Sequence, residues 1–565
     1  MDMADDVVTT VQRGYAFEGA CVELGALVVD GAPRADAPVR VPLAMLNRHG
    51  LVAGATGTGK TKTLQVMAEQ IAAAGVPVFA ADIKGDLSGL ASPGVTDAKI
   101  AARAESIGQA WTPTAYPVEL LRLGDDGVGV PVRASVTSFG PTLLAKVLEL
   151  NETQESSLGL VFHYADTAGL PLVGLDDLRA VIEHLTSDEG KEDLRGVGGL
   201  ARQTAGVILR ELVNFAATGA DAFFGEPEFD VSELLRTTDD GLGVITLLEL
   251  PSVLDRPVLF STFLMWLLAE LFETLPEVGD SEKPKLVFFF DEAHLLFKDA
   301  SKDFLSALVQ TVRLIRSKGV GVFFVTQSPK DVHEDVLAQL GSRVQHQLRA
   351  FTPNDAAALR AAVRTYPTSG YDLEELLTTL GIGEAVVTVM SEKGAPTPVA
   401  HTMLPAPRSL MAPSPADVLS GVVSSSPLAA KYAERLDRES AYELLTGKIA
   451  AGPGEPLDAG TGAAEPAGAD GAPAEPLTRE EEIKRLEAEI RGLPVPTTVP
   501  TPAPSPAEQP EEGQPKPRPG SGSRPRSRPG SRRAADGPLD AFLKTAGREL
   551  AKEIARGVFG TRRRR

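Results

Sequence analysis

The sequence predicts an α/β fold with a mostly parallel sheet organised around a glycine-rich loop, and three observations carry that expectation. Up to about Pro405, short β-branched or aromatic runs alternate with longer helical patterns, the rhythm that βαβ units produce. Residues 54–61 read GATGTGKT between a strand-like and a helix-like segment. The apolar run Leu286 to Phe290 ends in the acidic pair Asp291-Glu292.

The glycine-rich loop comes first because its flanks can be checked. Gly50–Ala53 follows the turn Asn47-Arg48-His49, the stretch Lys60–Ala74 has helical spacing and stops at Gly75, and Val76–Asp82 reads as the next strand. This strand, loop, helix, strand order is the context that a P-loop requires. Backbone N–H groups must turn inward to bind phosphate, and glycine permits the close approach and positive φ angles this needs. Gly54, Ala55, Thr56, Gly57, Thr58, Gly59, Lys60, Thr61 and Lys62 are therefore the candidate ATP-binding segment. Lys60 is expected to reach the β- and γ-phosphates and the Thr61 hydroxyl to hold Mg²⁺. An ordinary glycine-rich turn is the bland alternative, and the flanking elements weigh against it.

A buried strand ending in Asp291-Glu292 places both acids at the carboxyl edge of a parallel sheet. There Asp291 is expected to anchor the Mg²⁺ shell and Glu292, one residue on, to polarise the attacking water. Many strands end in an acid at a turn, so the pattern gains its force from the P-loop in the same chain. A second apolar strand, Val322–Thr326, ends in Gln327 and comes one helix later. Gln327 is the candidate γ-phosphate sensor, with a plain turn into Ser328-Pro329 as the competing reading. Arg313 and Arg316 close the intervening helix and are candidate arginine fingers toward a neighbouring subunit, although cations also suit a helix C-terminus for electrostatic reasons. Arg343 and Arg349, near the last core strand, and the turn Asp82-Ile83-Lys84-Gly85-Asp86 are weaker candidates, the turn reading equally well as a solvated loop.

Composition bounds the remaining possibilities. A chain of 565 residues suggests two to four structural units. Hydrophobic residues at 43% and charged residues at 23% place most of it in the globular class. Its single cysteine, Cys21, excludes an internal disulfide and points to a reducing, cytoplasmic setting. The N-terminus lacks an apolar signal core, and the longest apolar run, near Leu259–Phe272, is too short and carries Glu270, so no transmembrane segment is expected. The formal charge of -20 is unevenly spread. Residues 513–565 hold 15 Lys/Arg against 4 Asp/Glu, which leaves residues 1–512 at -31. An acidic body argues against general adhesion to nucleic acid, although a local basic pore would not show in a sum.

Composition shifts and periodicity divide the chain. Residues 1–45 read as a short N-terminal β-rich segment, 46–140 as the first part of the core and 141–236 as a helical insertion. Residues 237–410 complete the core and 411–450 form a helical extension. A disordered linker over 451–538 follows, with a short helix near 478–491 opened by a capping box at Thr478. Residues 539–565 read as a basic amphipathic helix and an arginine tail, which is equally a DNA contact, a lipid contact or a solubilising end.

The stretches GATGTGKT, DIKGDLSGL, FFGEPEFDVSELL, LVFFFDEAHLLF and IRSKGVGVFFVTQSP together resemble the HerA-like C-terminal-domain family of the HerA/FtsK superfamily, over about residues 15–410. The resemblance implies a RecA-like P-loop NTPase core, ATP with Mg²⁺, a homo-oligomer that is often a hexameric ring, and ATP-driven handling of DNA. By motif, Gly54–Thr61 is Walker A, Asp291 and Glu292 are Walker B, Gln327 is the sensor, and Arg316 is the favoured finger. The chain departs from the DNA-end-processing helicases in its short N-terminal stretch and its long helical insertion. Two functions follow: an oligomeric motor on DNA, or an ATP-dependent switch or remodeller acting on a protein partner or membrane surface through the basic tail helix. A small-molecule kinase is a distant third, since it needs neither the acid pair nor the added helical domain.

Overall fold

The computed structural model describes residues 3–451 apart from 125, 195–197, 251–256, 280 and 298–301. The linker, short helix and basic helix expected beyond residue 451 lie outside these described residues.

One sheet of twelve strands forms the frame. In chain order they are β1 (Cys21–Val29), β2 (Ala32–Pro42), β3 (Gly50–Ala53), β4 (Val78–Asp82), β5 (Val118–Leu123) and β6 (Val130–Val132), followed by β7 (Ile245–Glu249), β8 (Leu286–Phe290), β9 (Val320–Thr326), β10 (Ser342–Gln345), β11 (Glu384–Thr388) and β12 (Ala400–Met403). Their spatial order is β2-β1-β12-β11-β10-β3-β9-β8-β4-β7-β5-β6. From β10 to β6 every pairing is parallel, and from β10 back to β2 every pairing is antiparallel.

The central strands are near-continuous apolar runs because both faces of the sheet are covered. Every residue of β8 and β9 is buried. Alternation along β8 sends Val287 and Phe289 to one core with Leu64 and Met67 of the helix Lys60–Ala73, and Phe288 and Phe290 to the other with Phe263 and Trp266. Facing phenylalanines lock the register between the two strands: Phe289 pairs with Phe323 and Phe290 with Phe324, with ring centroids 5.4 and 5.6 Å apart.

Between β6 and β7 the chain forms the helices Glu152–Ala168, Leu175–Thr186 and Arg202–Ala217, whose apolar faces join the Trp266 side of the core. The first of these starts where Asn151 and Gln154 make a reciprocal capping box and stops at Gly169, in the left-handed region at φ 68°. After β12 come the helices Ala416–Ser425, Ala429–Tyr432 and Ala441–Ala451. The last packs on Leu175–Thr186, and the Ala441 N–H donates to the Pro171 carbonyl at 3.0 Å.

Residues 1–45 contain more than strands. The helix Met3–Gly14 precedes β1, and β1 and β2 extend the core sheet through β12 instead of standing apart. Tyr15, buried at the end of that helix, anchors it by donating its hydroxyl to the Pro398 carbonyl at 2.9 Å. β10 ends at Gln345 because there the backbone bends to serve the glycine-rich loop: the Gln347 carbonyl accepts from the Ala55 N–H at 2.8 Å. No helix among the described residues is long and apolar enough to cross a membrane.

His49 secures the amino edge of the sheet. Its Nδ1 accepts the Val322 N–H at 3.1 Å, and burial pushes its pKa down to about 4. An unfolded chain binds a proton at this side chain near pH 6.5, whereas the folded chain resists until about pH 4. Stability therefore falls as pH drops through that window, by on the order of 3 kcal/mol. The thermal midpoint of His49→Asn should fall less steeply than that of the parent protein between pH 6.5 and 4.

Candidate active site

The site forms where the carboxyl ends of β3, β9, β8 and β4 lie side by side. Because β9 lies between β3 and β8, the glycine-rich loop after Ala53 and the acids after Phe290 are held one strand apart.

The loop is tied down on its outer side. The Gly54 N–H donates to the Thr326 carbonyl at 3.2 Å and the Ala55 N–H to Gln347. The Thr58 carbonyl accepts from the Gly383 N–H at 3.0 Å, and the Thr56 carbonyl from Arg349 at 3.2 Å. Two glycines are required by geometry. A Cβ on Gly54 would stand 2.4 Å from the Cβ of His346. Gly59 caps the helix at φ 117°, a conformation that L side chains rarely adopt. The next residue, Lys60, opens the helix Lys60–Ala73, so first-turn N–H groups lacking intrahelical partners border the loop, the arrangement that favours a phosphate anion.

Lys60 is buried, its Nζ 3.2 Å from the Ala55 carbonyl. Burial lowers its pKa, opposed by the charges of Glu292 and Asp291. Thr58 donates its hydroxyl to the same carbonyl at 2.8 Å. Thr61 is half-buried on the first helical turn. Lys62 instead bonds Gln65 at 3.0 Å and lies in the field of Asp86 and Asp82, on the side of the turn after β4.

Asp291 is buried, and its carboxyl is pushed up to about 6, chiefly by burial, although the Glu292 N–H donates to it at 2.9 Å. Glu292 is the most constrained residue of the site. It sits at φ 47°, in the left-handed region, although it is not glycine. Its side chain is buried and meets three polar groups: Lys84 Nζ on Oε1, with His294 Nδ1 at 3.2 Å and Gln327 Nε2 at 3.5 Å on Oε2. Burial alone would raise its pKa, but Lys84, His294 and Gln327 more than offset it and hold the carboxylate below its usual range.

Of the residues singled out from sequence, the structure brings together Lys60, Asp291, Glu292 and, at the rim, the exposed Gln327. It does not bring Arg316 to them. Arg316 lies in the turn before β9, at the amino edge of the sheet, roughly 20 Å of strand from the carboxyl edge. Arg313 is at that same edge, and Arg343 bonds Thr365 and lies over the Tyr366 ring. Arg349 is the arginine at the loop itself.

Two participants, His346 and Gly383, were not legible in the sequence as site residues, and the turn after β4, a weaker candidate, joins them there. The turn after β4 is exposed at Lys84 but anchored from within: Asp82 is fully buried and accepts the N–H groups of Lys84, Asp86 and Leu87 at 3.3, 3.1 and 2.7 Å. That turn delivers Lys84 to Glu292, a contact spanning 208 positions that no local pattern signals. His346 backs the loop from β10, with Nε2 2.9 Å from the Thr63 hydroxyl, and Gly383 reaches the loop from the segment before β11.

The model of the helicase HerA-like C-terminal family matches residues 28–492. A DNA double-strand break repair helicase HerA from Sulfolobus acidocaldarius is 23% identical over 392 residues, covering 68% of this chain and 69% of that protein. A probable DNA double-strand break repair helicase HerA from Methanocaldococcus jannaschii is 35% identical over 106 residues, covering 19% of this chain and 20% of its own length. Among solved structures, the bacterial conjugative coupling protein TrwBdeltaN70 is similar at TM-score 0.46 and 15% identity, covering 72% of this chain and 94% of that one. VirB4 of Thermoanaerobacter pseudethanolicus is similar at TM-score 0.41 and 13% identity, covering 69% and 97%. The chain belongs to the helicase HerA-like C-terminal family and is a P-loop ATPase.

The Lys84–Glu292 pair makes a measurable difference to the acid. Removing the ammonium in Lys84→Met takes away the group that holds the carboxylate ionised, so the acid limb of the kcat–pH profile should move to higher pH by roughly one unit. A limb that stays in place would separate Lys84 from the chemistry.

Proposed function

We propose that this ATPase hydrolyses ATP with Mg²⁺ as an oligomeric ring motor acting on DNA. One observation carries the hydrolytic part: a strained, buried carboxylate, Glu292, stands beside a second acid and the loop lysine at one sheet edge. The DNA part rests on family membership and on the repair helicases to which the chain is similar.

In this reading the loop backbone and Lys60 bind and orient the β- and γ-phosphates. Glu292 takes a proton from the attacking water through a carboxylate oxygen, and Gln327 orients that water or the γ-phosphate. The donor set suits Mg²⁺, because Thr61 and Asp291 offer one hydroxyl and one carboxylate, hard oxygen ligands that leave room for phosphate and water. Among the described residues no group of three or more His, Cys, Asp or Glu could hold a metal by itself, as fits an ion shared with the nucleotide. When bound, Mg²⁺ neutralises charge that develops between the β- and γ-phosphates. Arg316, remote from its own loop, has a part in hydrolysis only if a neighbouring subunit presents it, which is why the reading includes an oligomer.

The acidic body favours one alternative, a switch or remodeller that works on a protein or membrane surface without DNA. One measurement tests the hydrolytic part and a second separates these possibilities. Glu292→Gln should bind ATP with near-parental affinity while kcat falls by about 10²-fold or more, and turnover at the parental rate would remove Glu292 as the base. Duplex DNA should raise the steady-state ATPase rate of the full chain several-fold, whereas a rate indifferent to DNA over a wide concentration range would favour the switch.

A further inference from the structure

The hydrolytic site leaves one cation of the glycine-rich loop without a role, Arg349. The backbone that carries it is fixed on both sides. The His346 N–H donates to the Ala53 carbonyl at 2.7 Å, the Gln347 carbonyl accepts from the Ala55 N–H, and the Leu348 N–H donates to the Leu377 carbonyl at 2.8 Å. Gln347 adds a side-chain bond to the Thr378 carbonyl at 3.0 Å, and the Leu348 side chain is buried. Arg349 itself is exposed, and its Nη2 donates to the Thr56 carbonyl at 3.2 Å. A long side chain on a rigid base thus ends on the loop.

Two cations therefore rest on consecutive loop carbonyls. Lys60 Nζ lies 3.2 Å from that of Ala55, and Arg349 holds that of Thr56. A lysine in the position of Lys60 reaches the β- and γ-phosphates, and Lys60 already stands in the field of Glu292 and Asp291. Arg349 approaches the same end of the loop from the other flank, since β10 lies on one side of β3 and β9 on the other. Neighbouring cations are engaged elsewhere. Lys84 pairs with Glu292, Lys62 bonds Gln65, and Arg103 donates to the carbonyls of Ile382, Gly383 and Leu404. Among the described residues Arg349 has the Thr56 carbonyl as its one polar contact. The rest of its planar fork of N–H donors, a shape that matches phosphate oxygens, is free to bind.

We propose that Arg349 is a catalytic residue acting in cis, donating its free N–H groups to γ-phosphate oxygens of the nucleotide held by its own chain. The inference rests on the ATPase reading and depends neither on an oligomer nor on DNA. In hydrolysis the water oxygen bonds to the γ-phosphorus and its proton passes to Glu292. The bond from that phosphorus to the bridging oxygen breaks, and its electron pair leaves with the β-phosphate. A guanidinium beside the γ-phosphate oxygens stabilises the charge that spreads over them. ADP has no γ-phosphate and forgoes the contact.

Calorimetric titration of Glu292→Gln with ATP and with ADP, in the presence of Mg²⁺, reads the contact without turnover. Adding Arg349→Ala should weaken ATP about tenfold or more and leave ADP within about twofold. Arg349→Lys should recover part of the loss, because it restores the charge without the fork. With Glu292 intact, kcat of Arg349→Ala should fall about 10²-fold. Equal weakening of both nucleotides, the signature of a residue that merely holds the Thr56 carbonyl, would overturn the proposal, as would an unchanged ATP affinity. Coexpressed Lys60→Ala and Arg349→Ala chains should turn over no faster than the two apart. Recovered turnover would place Arg349 on a neighbour's nucleotide and overturn its action in cis. If Lys60→Ala bound ATP as tightly as the parent, the phosphate site itself would be wrong and Arg349 would fall with it. Lysine-dependent binding that does not distinguish ATP from ADP through Arg349 removes Arg349 alone.

Discussion

The burial of both faces of β8 and β9 is the constraint on which the site depends. A one-residue slip between these strands would turn every side chain to the opposite face, and the tilted ring pairs Phe289–Phe323 and Phe290–Phe324 oppose it. With that register held, Asp291 and Gln327 emerge at the same edge, and β3 on the far side of β9 delivers the loop beside them. The chemistry thus inherits its alignment from a layer of aromatic packing that touches no nucleotide.

At that edge several acids share a poorly hydrated space. Burial pushes Asp291 up to about 6 and Glu249 up to about 8, and Asp82 is raised as well. Glu292 alone among the neighbouring acids is held below its ordinary range, because Lys84 and His294 face it. Two adjacent carboxyls in one sequence motif are therefore made unlike by what surrounds them, the condition under which one can serve as a metal ligand and the other as a base.

How much of this was legible beforehand follows from the range of each interaction. The glycine spacing, the strand and helix around it and the acid at the end of an apolar run are local patterns, and the fold class and the candidate residues at the sheet edge could be read from them. Lys84, His346 and Gly383 join the site through contacts spanning hundreds of positions, and a turn such as Asp82–Asp86 looks solvated until the burial of Asp82 is known. Strand order was legible only in part. That β9 neighbours β8 follows from the rarity of long crossings, whereas the antiparallel wing of β11, β12, β1 and β2 draws its strands from both ends of the core sequence and no periodicity reveals it. Arginine placement was least accessible, since a helix end marks a suitable residue without saying which edge of the sheet it occupies.

The hydrogen bond from Gly383 to the Thr58 carbonyl connects the two halves of this sheet. Thr58 belongs to the glycine-rich loop, and Gly383 immediately precedes β11, the first strand of the antiparallel wing. Arg103 braces the same joint, donating to the carbonyls of Ile382, Gly383 and Leu404. A shift of the loop must either carry this joint with it or break a bond it cannot replace locally. The antiparallel wing is consequently fastened to the glycine-rich loop at this joint, so whatever displaces one strains the other.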